Sequence, residues 1–437
     1  MPIRPYAVLG SVLLAASMWI WVQRIAIPHQ QAESVALDVP RGNLSDLYPR
    51  WLGARELLLH GRDPYGKDIT REIQAGYYGR PLDPARPGDP KDRQAFAYPI
   101  YVVLLLAPSV ALPFATVHGI FFWLFAILTG VSVLLWLQTL SWRIRPSTKV
   151  VWIVLTLSSF PAIQGLKLLQ LTVLVAALLA AALSAVARRR FILAGVLLAF
   201  ATIKPQLLFL PMLWLCIWTF GNWRQRQRLL WSFAVTMAIL VIAGEILLPG
   251  WIHEFRAAMA DYYRYTGGGR SVLDVILTPT WGRCLSAIAT VLFLVFAWQA
   301  RKADEGTPAF HWCLSLVLAT TLLVIPMFAP YNQLLLLPAL MLIVRSFSRL
   351  WEQSRLSRFF VGITGLSVLW SWVAAALLAI ALLLLPGPTV ERAWDLPFYT
   401  TFAIPLTIYG MVLAGKDVLS LLDATSPRTL QPNAASE

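Results

Sequence analysis

The stretch "VHGIFFWLFAILTGVSVLLWLQTL", Val117–Leu140, contains no Asp, Glu, Lys or Arg. About 20 consecutive apolar residues are enough for a helix to cross the hydrocarbon core of a bilayer. A strand of a membrane barrel would instead alternate apolar and polar positions over about ten residues, and this stretch does not alternate. The stretch therefore predicts a transmembrane helix.

Apolar runs of this kind recur along the whole chain. Of the 437 residues, 58% are hydrophobic and only 13% are charged, whereas soluble domains carry about 25% charged residues. The sequence predicts an all-α polytopic membrane protein with about eleven to thirteen transmembrane or re-entrant helices. We expect a first transmembrane helix at residues 1–25, an extracytoplasmic loop with an amphipathic helix at 26–97, a transmembrane core at 98–248, a second extracytoplasmic loop at 249–283, C-terminal transmembrane helices at 284–415 and a cytoplasmic tail at 416–437.

The charges indicate an orientation and argue against nucleic acid as a partner. Residues 26–97 carry ten basic and ten acidic side chains, so the net charge of +14 arises elsewhere. The excess lies mostly in short connections between apolar runs, as the positive-inside rule predicts for cytoplasmic loops. The basic clusters at 187–190, 222–228, 301–306 and 345–358 are therefore expected in the cytoplasm, and the first loop outside, in a bacterial-type plasma membrane.

Over the first half of the chain, the predicted spans do not alternate consistently between the two sides of the membrane. If 26–97 is outside and two spans follow, the basic residues Arg143, Arg145 and Lys149 would also lie outside. One segment must then be re-entrant or split. Tyr98–Pro113 is short and contains three prolines, so it is the segment that we expect to fail to cross.

Metal and redox motifs are absent from the sequence. Cys216, Cys284 and Cys313 have neither metal-ligand nor redox spacing and lie in or beside apolar runs. The first 25 residues have a charged start and an apolar core but no clear cleavage site, so we interpret them as a retained helix and not as a signal peptide.

The first loop contains the most informative polar stretch, "NLSDLYPRWLGARELLLHGRDPYG", at 43–66. Ser45 or Asp46 can cap a helix that runs to His60 and ends at Gly61. Its apolar positions recur at helical spacing, so the helix is expected to lie on the membrane surface or on the bundle. From spacing alone Asp46 is either an N-cap with Arg50 as its ion partner, or a functional acid at the membrane interface.

Three motifs in order resemble the GT-C superfamily of glycosyltransferases that use polyprenyl-phosphate sugars, and within it glycosyltransferase family 87. They are "DLYPRWLGARELLLHGRDPYG" at 46–66, "YP" at 98–99 and "KP" at 204–205. The resemblance is recognisable over residues 1–222. It implies a GT-C-like membrane fold that transfers a hexose, by family analogy mannose, from a polyprenyl-phosphate carrier to an extracytoplasmic glycan or glycolipid acceptor with inversion. It implies no cofactor and no metal, with the lipid-linked sugar as substrate.

The resemblance also implies residue roles. Asp46 matches the acidic residue that acts as general base. Cations would stabilise the leaving phosphate; the residues assigned to donor binding are Lys204, Arg50, Arg62, Lys167, Gln170 and Arg270. The residues assigned to the acceptor or the cleft are Tyr65, Tyr98, Tyr331 and Asn332.

Several of these assignments have structural alternatives. Lys204 could extend to lipid headgroups instead of binding phosphate. Gln170 departs from the Gly-Gln pair that is frequent in the family. Any of Arg50, Arg55 and Arg62 could contact phosphate, but we expect surface ion pairs for at least two of them. Arg270 could contact either the carrier phosphate or the acceptor. The tyrosines of the second loop could stack on sugars or form an interfacial aromatic belt.

Two other functional classes fit a polytopic membrane protein. A transporter or flippase of a lipid-linked or polar substrate would place charges or broken helices near mid-bilayer, whereas the polar candidates here collect at the ends of spans. A non-catalytic scaffold would not need an acid at the motif position that Asp46 occupies.

Overall fold

The computed structural model describes residues 5–36, 45–83, 85–86, 89–90, 92–265 and 268–420. The regular structure of this part of the chain is entirely helical, and it contains no strand. In the first half, the α-helices are Pro5–Trp21, Ile27–Ala36, Leu47–His60, Lys67–Tyr78, Val102–Leu106, Phe114–Thr139, Pro146–Leu157, Phe160–Lys167, Leu171–Ala187, Phe191–Ala201 and Pro205–Gly221. In the second half, they are Trp223–Leu247, Trp251–Tyr265, Val272–Ile276, Pro279–Gln299, Pro308–Val324, Leu337–Arg345, Phe347–Gln353, Arg355–Leu384, Gly387–Glu391, Ala403–Ala414 and Lys416–Ser420. A π-helical turn spans Val22–Ala26, and 3-10 turns span Ala107–Ser109, Ala300–Lys302, Pro330–Leu336 and Leu396–Phe398.

The described residues contain six segments that are long and apolar enough to cross a membrane. Two helix pairs, bent by 57° and 71°, each pass the same test as a pair, and four shorter apolar helices of 10–17 residues accompany them. The long segments and the bent pairs give up to eight spans within the described residues. The count of eleven to thirteen transmembrane or re-entrant helices stays a prediction. The protein is an all-α polytopic membrane protein, as its sequence predicts.

The first helix extends further than the predicted boundary at residue 25. Through the π-helical turn it continues to Ala36. Its C-terminal part is held by a segment near the end of the chain, since Trp21 Nε1 donates to the carbonyl of Trp394 at 3.0 Å and His29 stacks on the Trp394 ring. Residues 27–36, which we assigned to the loop, are therefore helical because a distant segment packs on them.

Tyr98–Pro113 does not form a long helix. Its regular structure is limited to Val102–Leu106 and the following 3-10 turn. The segment packs on the helix Leu47–His60, where Trp51 Nε1 donates to Ser109 O at 3.2 Å and Arg55 donates to Val110 O at 3.2 Å. It is short and interrupted by proline, which is why it stays at one end of the bundle.

Because this segment stays at one end, the spans that follow it alternate consistently between the two ends of the bundle. Phe114–Thr139 brings the chain to the opposite end, where Arg345 donates to Leu140 O at 2.7 Å and His311 Nε2 hydrogen-bonds Thr139 O at 2.8 Å. The basic clusters meet at this end, which we call the basic end. There the buried Arg226 donates to the carbonyl oxygens of Trp218, Arg301 and Ala303 at 2.8–2.9 Å.

The helix Leu47–His60 has the bounds that the sequence predicts. Gly61 ends it in the left-handed region, with φ of 65°, a conformation that glycine adopts at little cost. Gly53 permits close packing, because a Cβ there would lie 2.4 Å from the Phe96 ring. Leu47, Trp51 and Leu57 are buried, so the helix lies on the bundle.

The second loop is also largely helical. Trp251–Tyr265 forms one helix, and Ser271 and Asp274 form a capping box at the start of Val272–Ile276. The long helix that begins at Pro279 already includes the last residues of the predicted loop. In the predicted tail, Lys416–Ser420 is helical, and residues 421–437 lie outside the described part.

Candidate active site

A polar cavity of about 690 Å³ opens at the end of the bundle opposite the basic end. Its floor contains charged and amide side chains, and its walls are aromatic and aliphatic. The polar and aromatic lining includes Asp46, Arg50, Asp92, Gln94, Tyr98, Gln170, Lys204, Tyr262, Tyr265, Arg270, Tyr331 and Asn332. The volume is in the range of sites for small organic ligands.

Asp46 enters the cavity from the start of the helix Leu47–His60. Its side chain does not cap that helix; instead, the carboxylate accepts a hydrogen bond from Gln170 Nε2. The Asp46 backbone N–H donates to Leu168 O at 2.9 Å, and Arg50 donates to the Asp46 carbonyl at 2.8 Å. The N-cap alternative is therefore wrong for this side chain, which is directed to a partner far along the chain.

Gln170 connects Asp46 to Lys204. Lys204 Nζ donates to Gln170 Oε1 at 2.8 Å and to Thr172 Oγ1 at 2.7 Å. Thr172 Oγ1 in turn donates to Asn332 Oδ1 at 3.2 Å. Since an ammonium can only donate, Lys204 fixes the amide of Gln170 with its oxygen toward the lysine and its NH₂ toward the carboxylate.

Two breaks between short helices place this network. Leu169 has φ of 46°, and Gln170 N–H donates to Gly165 O at 2.9 Å, so the chain turns sharply between Phe160–Lys167 and Leu171–Ala187. Lys204 lies in the turn after Phe191–Ala201, and Pro205 opens the next helix at a position that needs no donor. Each break leaves one polar side chain at the same end of the bundle.

The environment of the cavity favours the neutral forms of Asp46 and Lys204. Loss of hydration raises the pKa of Asp46; nearby Arg50 and the Gln170 hydrogen bond oppose the rise, and Asp92 adds to it. Burial, followed by repulsion from Arg50, lowers the pKa of Lys204 to about 7, although Asp46 partly offsets this. Each group is therefore destabilised as an ion until a ligand supplies further partners.

Aromatic rings cover the cations of the cavity. The Arg50 guanidinium lies 4.8 Å from the Tyr98 ring centroid, and Lys204 Nζ lies 5.1 Å from that of Tyr331. Both tyrosines, with Asn332, line the cavity; their role toward the acceptor stays a prediction. Arg270 also lines it and is exposed.

Three other predicted residues lie away from the cavity lining. Arg62 forms ion pairs with Glu56, Asp68 and Glu72 at 2.5–2.9 Å. Lys167 donates to Gln30 on the first helix. Tyr65 donates to the Tyr98 carbonyl at 2.6 Å and so supports a lining residue from behind.

The structure adds lining residues that sequence reasoning missed. Asp92, which accepts from Gln94 Nε2 at 2.8 Å, places a second carboxylate in the cavity. Behind the lining, the buried Thr172 hydroxyl accepts a hydrogen bond from Lys204. Thr172 carries no charge and sits in an apolar run, so its sequence context offers no signal. For Tyr262 the sequence left open a sugar-stacking ring or a member of an aromatic belt, and the structure places it in the lining.

Within the described ranges, no group of three or more His, Cys, Asp or Glu side chains is arranged to hold a metal ion. The absence of a metal requirement stays a prediction.

The fold and this cavity define a polytopic membrane protein with an acid–amide–lysine network at one end of its bundle. Comparison with known families adds that a model of glycosyltransferase family 87 matches residues 96–326. The match covers more than half of the chain, so the chain belongs to glycosyltransferase family 87, and it is a membrane glycosyltransferase. No curated protein and no solved structure matches it.

The match differs in extent from the resemblance that the motifs suggest. It includes Gln170 and Lys204, and it extends past residue 222 to 326, so that it also covers the second loop. It starts at 96, after Asp46 and Arg50. The family match therefore does not bear on Asp46, whose proposed role rests on its place in the cavity.

Proposed function

We propose that this glycosyltransferase transfers a hexose, specifically mannose, from a polyprenyl-phosphate carrier to a glycan or glycolipid acceptor. The single observation that supports the proposal most is the hydrogen-bonded series Asp46–Gln170–Lys204 on the floor of the cavity. It places a candidate base and a candidate phosphate-binding cation on either side of one amide.

Asp46 acts as the general base in this proposal. It accepts the proton of an acceptor hydroxyl while the hydroxyl oxygen bonds to the anomeric carbon. The bond from that carbon to the phosphate oxygen breaks, and its electron pair leaves with the polyprenyl phosphate. Attack from the face opposite the leaving group inverts the anomeric configuration. The raised pKa of Asp46 makes it a stronger base than an exposed carboxylate.

Lys204 and Arg50 stabilise the leaving phosphate. Lys204 is buried, with a side chain held by two neutral acceptors, so its charge is not neutralised by direct contact with a carboxylate. A phosphate that binds beside Lys204 stabilises the ammonium in place of the water that burial removes. The hydrogen bonds between them are charge-assisted and therefore stronger than those between neutral groups. Because developing charge is offset by fixed cations, the reaction proceeds without a metal.

The remaining lining provides for the other parts of the substrates. Phe255, Met259, Phe328 and Phe402 give the cavity an apolar side, which suits the first prenyl units of the carrier. The tyrosines of the second loop offer rings on which sugar faces stack. The basic clusters at the other end support a cavity that faces away from the cytoplasm of a bacterial-type plasma membrane, where lipid-linked donors serve.

The test is sugar transfer by purified protein in detergent from synthetic polyprenyl-phosphate mannose. Asp46→Asn should lower kcat by about 10²- to 10⁴-fold and retain donor binding. Asp92→Asn is the matched control, since it removes a second carboxylate from the same cavity, and it should stay within about tenfold of wild type. Both variants are compared at equal thermal stability.

The outcomes separate the parts of the proposal. Full activity of Asp46→Asn, with Asp92→Asn silent, would show that the base is assigned to the wrong acid. Transfer only from another polyprenyl-phosphate hexose would refute mannose. Wild-type protein that transfers nothing from a panel of such donors, and accepts a nucleotide sugar instead, would refute the donor class.

A further inference from the structure

A second cavity, of about 770 Å³, lies at the basic end, far from the candidate active site. It lies between the helices Phe191–Ala201 and Trp223–Leu247. Its lining combines arginines with aliphatic side chains, namely Arg189, Arg190, Phe191, Ile192, Leu193, Val196, Arg224, Gln225 and Arg228. The proposed glycosyl transfer makes no use of it.

The two helices are held in rigid contact beside this cavity. At Gly195 a Cβ would lie 2.4 Å from Leu229 O and 2.0 Å from Ser232 Oγ. The backbones therefore approach as closely as glycine permits, and Ser232 Oγ reaches Phe191 O at 3.5 Å. The cavity walls are thus fixed by packing and do not depend on a loop.

Charge in the cavity is only partly neutralised. Arg189 pairs with Glu305. The side chains of Arg190, Arg224 and Arg228 are exposed, and within the described part of the chain they form no hydrogen bond or ion pair. Arg224 and Arg228 are four residues apart, hence on one helix face, and Arg190 immediately precedes the facing helix.

The surroundings of the three arginines are apolar and exposed. Ile192 and Leu193 on one helix, and Trp231 and Val235 on the other, present large exposed side chains, as helices do where they face lipid tails. The cavity therefore has guanidinium groups at the level of headgroups and an apolar wall at the level of acyl chains. This combination matches an anionic phospholipid, because guanidinium binds phosphate oxygens in pairs.

We propose that this cavity is a binding site for the phosphate of an anionic glycerophospholipid, in the leaflet opposite the candidate active site. Arg190, Arg224 and Arg228 hold the headgroup, and the exposed face of both helices contacts the acyl chains.

Native mass spectrometry of the detergent-purified protein tests the site with phosphatidylglycerol as the probe and phosphatidylcholine as the neutral comparison. Wild type should retain phosphatidylglycerol preferentially. Replacing Arg190, Arg224 and Arg228 together with Gln should weaken its binding by about a hundredfold, since each cation near a lipid phosphate contributes about fivefold.

A matched control removes three positive charges at the same end but outside the cavity. Arg143, Arg145 and Lys149 are exposed there, and their triple Gln variant should bind phosphatidylglycerol within about twofold of wild type. Equal loss in both triple variants would overturn the site, since it would indicate only a general attraction of the basic end. The triple Arg→Lys variant, which keeps the charge, should lose affinity less than the Gln variant.

Two further outcomes bear on the ligand. Release of bound phosphatidylglycerol by millimolar inorganic phosphate would overturn the lipid assignment in favour of a free phosphate. If the triple Gln variant does not fold, which the loss of glycosyl transfer and of thermal stability would reveal, the three single variants are measured. Unchanged affinity in all three would overturn the proposal.

Discussion

Replacing Lys204 with Met tests the electrostatic reasoning about the cavity most directly. Lys204 is only 7% exposed, and its ammonium has two hydrogen-bond partners, Gln170 and Thr172. Met removes the charge but keeps an unbranched apolar chain. We expect kcat to fall about 10²- to 10³-fold, the magnitude found when one preorganised donor to a developing negative charge is removed.

The same variant should change the pH dependence in a defined direction. Asp46 works as a base only when ionised, and burial raises its pKa. The Lys204 cation lowers that pKa, so its removal lets the Asp46 pKa rise further and shifts the acid limb of kcat/KM to higher pH. In wild type an alkaline limb should appear near 7, the pKa to which burial lowers Lys204. Lys204→Arg, whose charge persists, should lack that alkaline limb.

The assay is initial-rate transfer across a pH series in detergent, with thermal unfolding as the folding control. The variant leaves Gln170 Oε1 and the Thr172 hydroxyl without their donor, at a cost of about 1–3 kcal/mol, while it also removes a buried charge. Lys204→Met activity within tenfold of wild type, with an unshifted acid limb, would refute the proposed role of this lysine and its coupling to Asp46.

Two further pairs of variants test the packing and the motif arginines. Gly195→Ala should lower the free energy of unfolding by about 1–3 kcal/mol, because the added Cβ would lie 2.4 Å from Leu229 O. The control Gly10→Ala should be neutral or slightly stabilising, because nothing lies within 4 Å of a Cβ at Gly10. Equal shifts of the thermal unfolding temperature in both variants would contradict the close helix contact. Arg62→Gln should keep the transfer rate within about fivefold of wild type, since Arg62 pairs with carboxylates outside the cavity. Arg50→Gln should raise KM for the donor or lower kcat by at least tenfold. A larger loss in Arg62→Gln than in Arg50→Gln, measured by steady-state kinetics, would show that lining the cavity does not identify the donor-binding arginine.

The site was only partly predictable from the sequence. Lys204 stands out because a charge between apolar runs is costly and is a functional candidate by default, whereas Asp46 stands out only through its position in the family motif. Arg50 and Arg62 occur in the same motif and look equivalent, yet one faces the cavity and the other bridges Glu56, Asp68 and Glu72. Residues twelve apart on a helix and its following turn can point to different partners, and only packing against other segments decides which.

What the sequence determines by itself is local. Apolar length is enough to predict that Phe114–Thr139 spans a membrane, and Gly61 is enough to end the helix that begins after Asp46. Both effects depend on the properties of neighbouring residues: the hydrophobic length of a helix and the backbone freedom of glycine.

What only the tertiary structure decides is which distant residues meet. The length and prolines of Tyr98–Pro113 predict that it does not cross, but only the tertiary structure shows that it packs on the helix Leu47–His60. Gln170 joins Asp46 to Lys204 across 124 and 34 positions of sequence. Such contacts arise from the joint packing of several helices, and no local pattern of hydrophobicity or charge specifies them.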